Sequence, residues 1–233
     1  MYPDHDLERC LTFVRCQLHP AKAIVPPSPA AKRWRTVTIS RQAGSGGHAV
    51  AELLAGYLQS RAPDDRSWTV FDRNLVEKVL EDHHLAGRLA RFMPEDRHSE
   101  IQDVVDELFG LHPPSWTLVK KTEDTILRLA ELGNVIILGR GASVVTNRLE
   151  HVFHVRLIGS VEQRARHLQK ALQMKEREAL KFIRREDGGR RRYLRKYFHK
   201  DIDDPMLYHC VINTDRLSHE EVARLIADAV FAS

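Results

Sequence analysis

"ISRQAGSGGHAVAELLAGYL" (residues 39–58) decides how this chain of 233 residues is read. The β-branched run "TVTI" (36–39) leads into it, glycines at 44, 46 and 47 interrupt it, and Val50, Leu53, Leu54, Tyr57 and Leu58 then recur at helical spacing. A strand, a glycine-rich turn and an amphipathic helix in that order give a phosphate-loop pattern its mechanism. In the pattern GxxxxGK(S/T), Gly46 takes the second glycine. Arg41 then stands for the first, Gly47 for the lysine and His48 for the hydroxyl residue.

The backbone half of such a site survives. Gly44, Ser45, Gly46, Gly47 and His48 are the candidate cradle, because glycines at positive φ let a phosphate approach and the next helix offers unpaired N–H groups with a partial positive charge. The lost half is the lysine's point charge and a hard oxygen for Mg²⁺, since imidazole is a poor magnesium ligand. Arg41 can return the charge from the other end of the loop as a planar fork for phosphate oxygens. The alternatives are that Arg41 pairs with a carboxylate such as Asp72, and that the glycines serve only tight strand-to-helix packing.

Outward from this stretch, "WTVF" (68–71), "VIIL" (135–138), "VFHVRLI" (152–158) and "CVI" (210–212) are further short β-branched or aromatic runs, with helical patterns between them. Ser160 with Gln163 and Ser218 with Glu221 have the spacing of capping boxes that open two later helices. Apolar strands alternating with helices predict an α/β fold whose parallel five-stranded sheet is covered on both faces. Residues 85–116 read as a helical insertion and 175–205 as a second one. Both are expected over the carboxyl ends of the strands, where clamps and lids belong. Residues 1–35 read as an appendage, a short amphipathic stretch followed by a proline-rich linker.

Composition bounds the function classes. The chain is 42% hydrophobic and 29% charged, as a globular domain is. It has no apolar run of about eighteen residues and no basic, greasy leader, so a cytoplasmic protein without a membrane partner is expected. Cys10, Cys16 and Cys210 lack the spacing of a disulfide framework or zinc site. Net charge is +4, but residues 181–200 alone hold nine Lys or Arg and two acids. That segment is either a phosphate clamp or, with Tyr193, Tyr197 and Phe198 interleaved, a nucleic-acid surface.

Several ordered stretches resemble one family. "GRGASVV" (139–145), the strand after it and "EQRARH" (162–167) are similar to the stretch that cytidylate kinases write as GRDIGTVV, a strand and ExRAxR. "DGGRRRYLRKYF" (187–198) resembles their lid. "SRQAGSGG", "FDRNLVEKV" (71–79) and "DPMLYHCVINT" (204–214) resemble a cytidylate-kinase-like subgroup. The resemblance covers about residues 36–231. It implies a P-loop NTPase-type three-layer sandwich with a substrate-binding insertion and a lid, which uses ATP and Mg²⁺ to phosphorylate a nucleoside monophosphate, with CMP or dCMP the leading acceptor. It leaves the Mg²⁺ ligands unassigned.

Phosphoryl transfer depends on in-line positioning and on positive charge around the migrating group. The expected catalytic residues are Arg41, Arg184, Arg190 and Arg191; the expected acceptor-binding residues are Asp72, Arg73, Arg140 and Asp187. Two departures from the family pattern stand out beside the missing lysine: His48 replaces the subgroup's usual arginine, and Gly141 replaces the aspartate of GRD. Two rival readings are a non-catalytic nucleotide sensor and a nucleic-acid-binding module that uses the basic segment.

Overall fold

The computed structural model describes residues 34–61, 67–72 and 114–232. The appendage up to residue 33, Arg73 and nearly all of the 85–116 insertion lie outside the described residues.

Five strands form one sheet: β1 (Thr36–Arg41), β2 (Thr69–Phe71), β3 (Val135–Leu138), β4 (Val152–Ile158) and β5 (Cys210–Asn213). All pair in parallel, in the order β2-β3-β1-β4-β5. The apolar runs read from the sequence are these strands to within two residues. β1 lies centrally, with Ile39 opposite Leu138 on one side and Val155 on the other. The loop after β1 therefore opens at the middle of the sheet's carboxyl edge, where α/β sheets bind ligands.

The helices are α1 (Gly47–Arg61), α2 (Pro114–Leu132), the short α3 (Ala142–Val145), α4 (Val161–Leu172), α5 (Glu176–Phe198) and α6 (His219–Phe231). The period of two along each strand sends side chains to opposite faces. Val37, Ile39, Ile136, Leu138, Val155 and Leu157 pack on one face with Val50, Leu54 and Leu58 of α1 and Val222 and Ile226 of α6. Val135, Ile137 and Val152 pack on the other with Ile126 and Leu129 of α2. The result is the three-layer P-loop NTPase-type arrangement. Trp68 is in the first core.

One of the two expected capping boxes forms in full; on α4 the Ser160 amide donates to Asp215 Oδ2 at 2.9 Å and not to Gln163. Ser218 and Glu221 form a reciprocal capping box on α6, and the Ser160 side chain accepts the Gln163 amide at 3.3 Å on α4. The expected lid is largely one continuous helix, α5, of 23 residues and thus about 35 Å long. It runs straight through Gly188 and Gly189. Ala179 and Ile183 anchor its first half in a third core with Ala43 of the loop and Ala165 and Leu168 of α4. Cys210 is a half-buried free thiol whose pKa burial pushes up to about 11, so it is poorly nucleophilic at neutral pH. Among the described residues no helix is long and apolar enough to cross a membrane.

Candidate active site

A cleft of about 460 Å³ opens at the carboxyl ends of β1 and β3 and is covered by α5. Arg41, Arg140, Arg185, Arg190 and Arg192 line it, with Glu186 as its only acidic side chain among the described residues. Their positions follow from local backbone chemistry.

Arg41 ends β1, and its side chain runs across the loop. A Cβ at Gly47 would lie 2.8 Å from Arg41 Cγ, and one at Gly139, after β3, would overlap Arg41 Nη1. The Arg41 stem thus uses the room that Gly47 leaves. Its guanidinium reaches the turn that carries Arg140. In that turn three successive residues have positive φ, Gly139 at 88°, Arg140 at 56° and Gly141 at 72°. Glycine adopts this conformation freely, whereas for Arg140 it costs on the order of 1 kcal/mol. Gly141 also lies under a ring: a Cβ there would be 3.0 Å from Phe198 Cε2. An aspartate at that position would meet both the ring and an unfavourable φ.

The glycine loop is tied down from behind. Ala43 N donates to Asp187 Oδ1 at 2.7 Å, and Arg164 Nη1 donates to Asp187 Oδ2 at 2.6 Å and to the Ala43 carbonyl at 3.0 Å. Arg164 Nε donates to the Gly159 carbonyl at 2.9 Å. Gly44 has φ 81°, and a Cβ there would lie 2.5 Å from the Arg164 carbonyl oxygen, which only glycine avoids. Arg190 Nη1 donates to the same Asp187 Oδ1 at 3.2 Å. Both carboxylate oxygens of Asp187 therefore join α5 to the loop and to α4. Burial, opposed by Asp187 and Glu186, lowers the Arg190 pKa from its usual value; so does Arg156 nearby. The group remains a cation at any physiological pH.

The other expected residues are placed as follows. Gly46 packs under His219, whose imidazole a Cβ would overlap. The Ser45 hydroxyl turns inward, donating to the Gln42 carbonyl at 2.8 Å, and the residue is 2% exposed. His48 is exposed in the first turn of α1. Asp72 is buried just past β2. Arg184 lies outside the cleft, in a shallow depression with Arg177 and Lys181. Arg191 also lies outside it, donating to Asp203 Oδ2 at 2.9 Å. Consecutive helical residues diverge by about 100°, so three arginines in a row cannot share one face.

Two buried arginines escaped the sequence reading. Arg164 is one; the other is Arg156 on β4, 3% exposed, which donates to Ser40 Oγ at 2.9 Å and to Asp203 Oδ1 at 2.5 Å. Asp203, held in its charged form against burial by bonds from Arg191 and Arg156, links the sheet to α5. Tyr208 packs against Arg156 and donates to the Ile202 carbonyl at 2.9 Å.

The family model described as "Cytidylate kinase-like family" matches residues 36–216. The chain belongs to this family. Its relatives include the cytidylate kinase of Pyrococcus horikoshii, 26% identical over 163 residues, covering 70% of this chain and 81% of that one. The cytidylate kinase of Methanocaldococcus jannaschii is 25% identical over 166 residues, covering 70% and 90%. Among solved structures, an uncharacterized protein from Eubacterium ventriosum superimposes with a TM-score of 0.63 at 17% identity, covering 86% of this chain and all of that one, a likeness of fold. In this cytidylate kinase-like chain Arg41, Arg140 and Arg190 bring guanidinium forks together in the cleft, while Gly44, Ser45, Gly46, Gly47 and His48 do not line it. Mg²⁺ fits differently. Among the described residues no group of three or more His, Cys, Asp or Glu converges. Magnesium held mainly by phosphate oxygens and water asks for only one or two protein carboxylates, so the lack of such a cluster is compatible with a nucleotide-borne ion.

Proposed function

We propose that the chain transfers the γ-phosphoryl group of ATP to a nucleoside monophosphate, with CMP or dCMP among the acceptors. One observation carries the reading. Arg41 lies across the space left by Gly47 and brings its guanidinium to the Gly139 turn, in a cleft shared with Arg140 and Arg190. An altered loop is then a relocated charge and not a lost one. Losing one charged phosphate contact costs about 1.5–3 kcal/mol, an amount that one well-aimed arginine restores.

In this reading the amides after Gly44 and the Arg41 fork hold the donor phosphates, Arg140 holds the acceptor phosphate, and Arg190 follows the migrating group. An acceptor phosphate oxygen forms the new bond to the γ-phosphorus as the β–γ bridging bond breaks, and ADP leaves with that electron pair. Magnesium, when bound with the nucleotide, neutralises part of the phosphate charge. The protein supplies alignment and fixed positive charge, which most phosphoryl transfers need more than covalent help. Asp187 is a positioning residue, because its oxygens are engaged with Ala43, Arg164 and Arg190. The basic segment favours this use over nucleic-acid binding, since Arg190 and Arg191 are paired with acids of the same domain.

The test is a coupled ADP-release assay over CMP, dCMP, UMP, AMP and GMP. Turnover with any of them supports the reading. Saturable ATP binding without turnover on any acceptor would make the chain a nucleotide sensor and overturn it.

A further inference from the structure

The cleft lining combines two chemistries. Arg41, Arg140 and Arg190 line it, α5 adds Tyr193 one turn from Arg190, and Phe198 lies against Gly141 of the lining turn. Tyr193 meets Tyr197 with ring centroids 5.2 Å apart at 56°, and Phe198 at 5.7 Å and 62°. Neither contact is a parallel stack, the arrangement a base would make on the ring of Tyr193. Tyr193 and Arg140 line the same cleft and lie within electrostatic reach of each other.

Among the described residues, Thr38, Ser40 and Glu186, which could read the edge of a base, are engaged, while Arg185 and Arg192 also line the cleft. Thr38 Oγ1 is 2.7 Å from His154 Nδ1, and Ser40 Oγ accepts from Arg156 at 2.9 Å. Glu186, the only acid lining the cleft among the described residues, pairs with Arg185 at 3.2 Å and Arg190 at 3.7 Å. Ser143, the remaining aliphatic hydroxyl, is 4% exposed. A ring face recognises any base, because every base has a π-face, whereas discrimination needs donors and acceptors aimed at an edge.

From this we infer that the acceptor nucleotide is held by stacking of its base on Tyr193 and by guanidinium contacts to its phosphate, so that the site accepts nucleoside monophosphates of more than one base. The inference rests on the proposed monophosphate kinase reading and extends it to specificity.

The experiment is titration calorimetry on the full chain with CMP, UMP, AMP, GMP and ribose 5-phosphate. The four nucleotides are expected to bind within about 10-fold of one another and at least about 10-fold more tightly than ribose 5-phosphate. Tyr193→Leu should collapse that gap while leaving ribose 5-phosphate affinity unchanged, and Tyr193→Phe should preserve it; melting curves of both variants confirm folding. A preference of about 100-fold or more for one base, which edge contacts produce, would overturn the inference. An unchanged nucleotide to ribose 5-phosphate ratio in folded Tyr193→Leu would do so too. If the acceptors, ribose 5-phosphate included, do not bind at all while ATP does, the monophosphate kinase reading itself fails.

Discussion

Arg41 and Gly47 share one space: the arginine stem occupies the volume a side chain at residue 47 would need, and a Cβ there would come within 2.8 Å of Arg41 Cγ. Gly47 has no positive φ, so space and not backbone conformation is what a larger residue would violate. Introducing the lysine of the general phosphate-loop pattern alone, Gly47→Lys, is therefore expected to weaken ATP binding by displacing Arg41. Arg41→Ala should weaken it about 10- to 100-fold, the loss of one charged phosphate contact. The double exchange Arg41→Gly with Gly47→Lys should recover most of the affinity. Calorimetric titration with ATP distinguishes these cases; a gain in affinity from Gly47→Lys alone would show that Arg41 does not fill the lysine's role.

Arg140 and Arg41 line the same cleft from different strands, which lets their roles be separated. Arg140→Ala is expected to raise the acceptor KM by about 10-fold or more while changing ATP affinity less than about 3-fold. Steady-state kinetics with each substrate varied in turn read both values. Equal losses for ATP and acceptor would remove the acceptor role assigned to Arg140.

Asp187 accepts from Ala43, Arg164 and Arg190, and the Arg164 side chain is only 5% exposed. Removing one partner of a buried pair leaves an uncompensated charge, which typically costs about 3–5 kcal/mol. Asp187 keeps 17% of its side-chain surface, so the lower end, about 3 kcal/mol, is expected for Asp187→Asn. In a domain of this size that lowers Tm by about 6–12 °C. Thermal denaturation checks it, and a shift under about 2 °C would mean that the link is not a structural tie.

The strands and the glycine loop were legible because both are written in short, contiguous patterns: "VIIL" and "VFHVRLI" are the observed strands residue for residue. The arginines were not. Arg156 interrupts an apolar strand and Arg164 a polar helix, and neither pattern tells whether a guanidinium turns inward to an acid dozens of residues away. Asp187 to Arg164 and Asp203 to Arg156 are such pairs. In "RRR" (190–192) the helical phase decides which side chain faces the cleft. The buried positions Ala179, Ile183 and Leu194 set that phase, a signal present in the sequence but diluted by charge on every side. Arg73 and residues 85–113 of the expected insertion lie outside the described residues, while 114–116 begin α2.

Two glycines sit in helix interiors with nothing within 4 Å of an added Cβ: Gly56 in α1 and Gly189 in α5. Neither has a positive φ. Alanine at such a site gains about 0.5–1 kcal/mol by reducing unfolded-chain entropy and favouring the helix. Gly56→Ala, on an exposed face of α1, should raise stability by that amount and leave turnover unchanged. Gly189→Ala should raise stability equally but lower kcat if α5 bends at Gly188–Gly189 during the catalytic cycle, since its first half is anchored through Asp187. Denaturant unfolding and kcat measured on both variants separate the effects; unchanged kcat in Gly189→Ala would place lid motion elsewhere.

A histidine pair, His154 on β4 and His209 just before β5, makes the fold less stable in acid. Burial, then neighbouring His209, pushes the His154 pKa down to about 4, and burial lowers that of His209. His209 Nδ1 accepts the His154 amide at 2.9 Å, which requires that nitrogen to be unprotonated, and its ring stacks on Phe153 at 5.0 Å. Unfolding frees both imidazoles to titrate near the ordinary value of about 6.5, so the unfolded chain binds more protons as pH falls below that value. The His154 contribution to stability is therefore complete above about pH 6.5 and is lost as pH falls toward about 4, at up to about 1.4 kcal/mol per pH unit, and His209, lowered as well, adds in the same direction. His167, also lowered by burial and by His219, adds in the same direction. Urea unfolding at pH 7 and pH 5 should show the loss, and His154→Asn, which can still bond Thr38, should reduce it by one histidine's share. An identical pH slope in the folded variant would assign the proton uptake to other groups.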